Sequence, residues 1–119
     1  MMKRCITSVL EQGNVWEESF ATEPFEAGWA SEARWFVRIL DPVPAERLSI
    51  TLTPQISPDG ILWCDDTDSG AGLQLDLPVA STQLFTLPQR QFGNWLRLKV
   101  DFGGSGTPVK FLIYLVLKE

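Results

Sequence analysis

Histidine is absent from this chain of 119 residues. That removes the Ser-His-Asp and Cys-His arrangements of nucleophilic catalysis, and with them the side chain most often used as a general base near neutral pH. Zinc loses its usual nitrogen ligand as well. Cysteine is nearly absent: Cys5 and Cys64 lie 59 positions apart and form no C-x-x-C pattern. Both are expected to be unpaired small hydrophobes, although sequence separation leaves a bridge open. Basic residues are outnumbered, 10 Lys and Arg against 15 Asp and Glu, for a net charge of −5 and a pI near 4.7. Such a surface cannot neutralise many phosphates, which argues against nucleic acid and against anionic lipid as partners. Long apolar runs are missing too. Lys3 and Arg4 precede only Cys5 to Leu10, interrupted by Thr7 and Ser8 and ended by Glu11. This is too short and too polar for an export signal, and nothing reaches the ~20 apolar residues of a membrane span. The expectation is a chain with no export address, cytoplasmic or virion-associated.

What the sequence does contain is a period of two. In LSITLTPQI, Leu48, Ile50, Leu52 and Ile56 oppose Ser49, Thr51, Thr53 and Gln55, with Pro54 fitting an edge or a strand end. NWLRLKVDF sets Leu96, Leu98, Val100 and Phe102 against Trp95, Arg97, Lys99 and Asp101, and ARWFVRIL sets Trp35, Val37 and Ile39 against Arg34, Phe36, Arg38 and Leu40. Shorter strands are expected at Cys5–Leu10, Val15–Ala21, Ile61–Asp65, Leu73–Leu77 and Gln83–Leu87. Turn residues separate these runs at 41–44, 57–60, 69–72 and 103–108. At 45% apolar, one domain of this length can bury its own core. The predicted fold is all-β: one domain over residues 1–119, a two-sheet antiparallel β-sandwich of jelly-roll kind with eight or nine strands.

The last run, VKFLIYLVLK, is apolar on both sides. Phe111, Ile113, Leu115 and Leu117 face one way, while Leu112, Tyr114 and Val116 face the other. Either a loop or the N-terminal segment covers the second side, or another subunit does.

Residues 57–63, Ser-Pro-Asp-Gly-Ile-Leu-Trp, followed further on by Phe92-Gly93-Asn94-Trp95-Leu96-Arg97-Leu98, resemble the Ser-x-Asp-Gly-x-x-Trp hairpin and aromatic-x-Arg-aliphatic strand of discoidin-type, galactose-binding-like jelly rolls, over about residues 50–100. The resemblance implies a positive φ at Gly60, an Asp59 carboxylate bonded to local amides, and Trp63 folded back onto the sheet. The family's disulfide between the domain ends has no counterpart here, and no ligand loop aligns, so ligand class does not carry over.

The acidic run Asp65-Asp66-Thr67-Asp68-Ser69-Gly70 offers oxygens of the kind calcium takes, but its spacing is not that of an EF-hand and no glutamate closes it. It is expected to be a solvated turn, with Asp65, Asp66 and Asp68 the weak candidates for a metal and no cofactor required. Glu17 and Glu18, adjacent on a strand, would point to opposite faces, which is wrong for a cooperating carboxylate pair. Glu23 and Glu26 are expected to be ordinary surface acids. Of five tryptophans, Trp35 belongs with the core; Trp29 and Trp95 are either core or covered by a loop, or else in contact with a protein or a sugar. Charge is uneven along the chain: residues 11–32 hold six acids and no base, residues 59–76 five acids and no base, and residues 90–118 five bases and one acid. Complementary patches on identical subunits would use such a split.

The sequence therefore points to a non-enzymatic structural or assembly subunit that associates with itself or with another structural protein, a virion decoration protein being one example. A carbohydrate-binding module of galactose-binding-like type is the alternative. The interface candidates are Trp29, Trp95, Leu112, Tyr114 and Val116.

Overall fold

A computed structural model describes residues 3–40, 47–66, 72–104 and 107–119. It contains ten strands: β1 (Cys5–Trp16), β2 (Phe20–Ala21), β3 (Phe25–Glu26), β4 (Glu32–Leu40), β5 (Leu48–Ser57), β6 (Cys64–Asp65), β7 (Leu73–Leu77), β8 (Phe85–Arg90), β9 (Trp95–Phe102) and β10 (Val109–Lys118). Among the described residues no helix is long and apolar enough to cross a membrane. All pairings are antiparallel. One sheet runs β1-β10-β4-β8. In the other, β9 and β5 form the middle, β2 and β3 share the column beside β9, and β6 and β7 share the column beside β5.

Counted as columns, the ten strands make eight, and their pairing is nested. The first column pairs with the last, the second with the seventh, the third with the sixth and the fourth with the fifth. This is a long hairpin rolled up, the jelly-roll solution to closing two sheets over one core. Two short strands in place of one on each side of the second sheet account for the excess over the eight or nine expected.

The core lies where the alternation places it. Leu48, Ile50 and Leu52 of β5 are buried with Leu96, Leu98 and Val100 of β9, facing Trp35, Val37 and Ile39 of β4 and Phe111, Ile113, Leu115 and Leu117 of β10. The Trp35 indole N–H, buried at the centre, donates to Gln89 Oε1 at 2.8 Å. Cys5 and Cys64 are both free, as expected, but both are exposed rather than packed as small hydrophobes.

Two departures from the alternation have physical causes. β1 continues past Glu11 to Trp16, because irregularities between Val9 and Glu11 and between Gln12 and Val15 absorb extra residues and break the period of two. Gly13, at φ 77°, supplies a conformation that side chains disfavour, and the buried Glu11 accepts the Asn14 N–H at 3.3 Å. Pro54 lies inside β5, not at an edge or end. Its carbonyl accepts the Asp66 N–H at 2.9 Å; since N–H and C=O of one residue point to the same side in an antiparallel strand, the missing N–H faces the junction where β7 stops and β6 starts. The acidic turn is only partly solvated: Asp65 is exposed, Asp66 is buried, and Asp68 lies outside the described residues.

The turn after β5 has the expected geometry. Ser57 Oγ accepts the N–H groups of Asp59 (3.2 Å) and Gly60 (2.8 Å) and donates to Asp59 Oδ1 (3.0 Å). That same Oδ1 accepts the amides of Ile61 (2.9 Å) and Leu62 (3.1 Å). Gly60 sits at φ 79°, and a Cβ there would lie 3.2 Å from the Trp95 ring. Trp63 folds back under Arg97, whose guanidinium carbon is 4.4 Å from the ring centroid. The Ile61 amide, then those of Leu62 and the Ser57 hydroxyl, hold the Asp59 carboxyl below its ordinary range.

Two predictions follow from this hairpin. Gly60→Val costs more than about 1 kcal/mol in chemical unfolding, because a β-branched side chain meets both the positive φ and the indole; an unchanged midpoint would contradict the turn. A carboxyl whose folded pKa is depressed stabilises above its ordinary value, about 4, and that stabilisation disappears as pH falls through the folded value. Asp59→Asn is therefore expected to melt below the parent protein near neutral pH, with the gap closing in strong acid. A gap that does not change with pH would show that the charge contributes nothing.

Candidate functional site

The outer faces of the two sheets differ in kind. That of the β5–β9 sheet is polar and bonded to itself: Gln74 Nε2 donates to Ser49 Oγ at 2.9 Å, Arg97 Nε to Gln55 Oε1 at 2.7 Å, Gln55 Nε2 to Asp65 Oδ1 at 2.8 Å, and Lys99 pairs with Asp101 at 3.7 Å. Away from the hairpin end, where Trp63 and Trp95 lie, water can cover such a face at little cost.

The outer face of the other sheet is built around β10. Because β10 lies between β1 and β4 along its whole length, its outward residues stand in the middle of a sheet. Leu112, Tyr114 and Val116 are half-buried, and the register sets Tyr114 between Val9 and Phe36. Val9 is 48% exposed. β1 lies beside β10 and not over it, so the N-terminal segment does not provide the cover anticipated for the second apolar side.

Cations frame this apolar strip. Arg34 and Arg38 of β4, Arg90 of β8, and Lys110 and Lys118 of β10 all lie on its register rows, with Glu32 as the acid among them. Arg34 Nη1 is held by Thr86 Oγ1 at 3.2 Å, and Arg38 donates through Nε and Nη2 to the Ser81 carbonyl at 3.1 and 2.9 Å, which keeps both guanidinium groups spread along the surface. Among the described residues none of these five cations has a carboxylate within ion-pair distance. Between β4, β8 and β10 runs a groove of about 250 Å3, floored by Phe36, Pro88 and Val116 and rimmed by Glu32, Arg34, Arg90 and Lys118. An apolar floor under a rim of three cations and one acid suits an acidic partner with an apolar protrusion.

Of the sequence candidates, Leu112, Tyr114 and Val116 come together here, whereas the two tryptophans lie elsewhere. Trp29 sits half-buried at one end of the sandwich with the Arg4 guanidinium 4.3 Å above its ring, and Arg4 is itself paired with Glu119 at 3.2 Å. Trp95, on the other sheet, is covered by the hairpin at Gly60. Among the described residues no three acids or cysteines are grouped so as to hold a metal ion. Glu17, Glu18, Glu23 and Glu26 are exposed, and Glu26 Oε1 accepts the Gly28 N–H at 3.0 Å.

Phe36, Arg34, Arg38, Pro88 and Arg90 joined the site unannounced. Arg34, Phe36 and Arg38 were legible as pointing away from the core, whereas Pro88 and Arg90 lie beyond the strand expected to end at Leu87, and nothing local says that β4 neighbours β10. The basic run at 90–118 is divided by the fold: Arg90, Lys110 and Lys118 face out from one sheet, Arg97 and Lys99 from the other. Ile61 and Leu62, 77% and 73% exposed at the hairpin tip, were also missed. Their signal was two adjacent large aliphatic residues beside a Gly in a tight turn.

No family model matches the chain, and no curated protein matches it. Among solved structures, the whole chain superposes on part of dimeric latent PorU from Porphyromonas gingivalis, with a TM-score of 0.53 and 13% sequence identity. The chain spans 13% of the length of that protein. The similarity is one of fold.

Proposed function

We propose that this chain is a non-enzymatic assembly module of structural type, and that the outer face of the β1-β10-β4-β8 sheet is its contact surface. The observation that carries this is the strip of Val9, Phe36, Leu112, Tyr114 and Val116 in the middle of a sheet face, framed by five cations without ion-pair partners among the described residues. A strip of this kind costs free energy in water, and association removes it. The framing charges add selectivity, since they repel a like face and attract an acidic one. Self-association, or attachment to a larger assembly such as a virion, both use such a surface.

A glycan-binding module gains less support from the geometry. Sugar rings stack on open tryptophan faces, and here Trp29 lies under Arg4, Trp63 under Arg97 and Trp95 against the hairpin. Within the sandwich class, the bonded Ser57–Trp63 hairpin favours the discoidin-type relationship as a matter of shape, with no ligand attached to it.

Light scattering is the test. The wild-type chain is expected to exceed 13.4 kDa at high concentration, and Tyr114→Glu to return it to that mass with its β spectrum intact, because the substitution places an unpaired carboxylate in a desolvated contact. A wild-type protein of 13.4 kDa at every concentration would refute the proposal.

A further inference from the structure

We infer that the groove on the outer face of the β1-β10-β4-β8 sheet receives the Ile61-Leu62 hairpin tip of a second copy of this chain, in a head-to-tail contact. The inference rests on the assembly function proposed above and specifies its geometry.

The two features complement each other in shape and charge. The groove has an apolar floor (Phe36, Pro88, Val116) and a cationic rim (Arg34, Arg90, Lys118) relieved by a single acid, Glu32. The tip presents Ile61 and Leu62, the two most exposed large hydrophobic residues of the described chain, flanked by the exposed carboxylates of Asp59 and Asp65. It is also rigid. Both amides of the tip are tied to Asp59 Oδ1, that carboxylate is tied to Ser57, and Trp63 is clamped under Arg97. A protrusion already held in one conformation loses little entropy on docking.

The symmetric alternative is electrostatically poor. Two copies of the sheet face laid on each other would bring ten cations together against two copies of Glu32, twice the five and one of a single face. Edge-to-edge pairing is also obstructed, since β1 carries two irregularities and β8 carries Pro88. By contrast, tip and groove do not compete within one molecule. The segment from β3 to β4 and the turn after β5 lie at the same end of the sandwich, but the groove opens on the outer side of one sheet and the hairpin packs on Trp95 at the outer side of the other. Each copy can therefore give its tip to one neighbour and accept the tip of another. Such a heterologous contact propagates into a ring or an open stack.

Complementation between two variants tests this. Leu62→Glu removes the tip and leaves the groove; Val116→Glu does the reverse, and Arg90→Glu replaces it if the β spectrum is lost. In sedimentation velocity each variant alone is expected at 13.4 kDa, and an equimolar mixture at twice that mass and no larger, because only one tip and one groove remain usable. Association of Leu62→Glu at the wild-type level, with Val116→Glu monomeric, would overturn the head-to-tail contact and leave the sheet face as the interface. Two monomeric variants that fail to combine would also overturn it. Wild-type protein that never associates would remove this inference together with the proposed function.

Discussion

The pairing of the first strand with the last organises this molecule. β1 and β10 lie side by side over nearly their full lengths, and every other pairing nests inside theirs. Closing the outermost pair brings β10 between β1 and β4. Its inner residues, Phe111, Ile113, Leu115 and Leu117, become the floor of the core, and its outer residues become the centre of an exposed sheet face. A residue at a sheet edge can turn aside or be wrapped by a loop, whereas a residue in the third dimension of a central strand has no such escape. The outward position of Leu112, Tyr114 and Val116 is thus fixed by topology, and the chain has not placed polar residues there as it has on the other sheet.

That contrast between faces argues for function over accident. The β5–β9 sheet shows what this chain does with a surface meant for water: threonine, serine and glutamine alternate with the core residues, Gln74 donates to Ser49, and Arg97 donates to Gln55. In the β1-β10-β4-β8 sheet, β4 and β10 also alternate between buried and outward residues, yet set aromatic and aliphatic side chains between cations held apart by Thr86 and the Ser81 carbonyl. A net charge of −5 makes the concentration of cations on one face more telling, because the remainder of the molecule is correspondingly more acidic. If copies of the chain associate as proposed, opposite charges face one another in one orientation and like charges in others, and this would steer association before any apolar contact forms.

Much of the fold was legible because the long strands keep strict alternation. The inward and outward sets of β4, β5 and β9 follow from Trp35, Leu48 to Leu52 and Leu96 to Val100 without any knowledge of neighbours, and the hairpin at Ser57 follows from a local motif whose bonds are all local. β1 was read short because its bulges shift the phase at Glu11. Pro54 was placed at a strand end because a gap in the adjacent column cannot be foreseen from β5. The candidate face was half legible: the two-sided run at Val109–Lys118 announces that something must cover Tyr114, but the cations around it come from β4 and β8, which only long-range pairing brings alongside. Whether Trp29, in a loop, and Trp95, on the polar side of its strand, are covered could not be read from the sequence, because the residues above them, Arg4 and Gly60, are brought there by the fold.

Tyr114 is the one tyrosine of the chain and stands at the middle of the face, so it can report on that face alone. Incorporation of 3-fluorotyrosine gives a single fluorine resonance whose shift, width and sensitivity to a soluble relaxation agent can be followed from dilute to concentrated protein. If the face is a contact surface, the resonance moves, broadens and becomes shielded from the agent as concentration rises, and recovers on dilution. A sharp line at constant shift, equally accessible at all concentrations, would contradict the account.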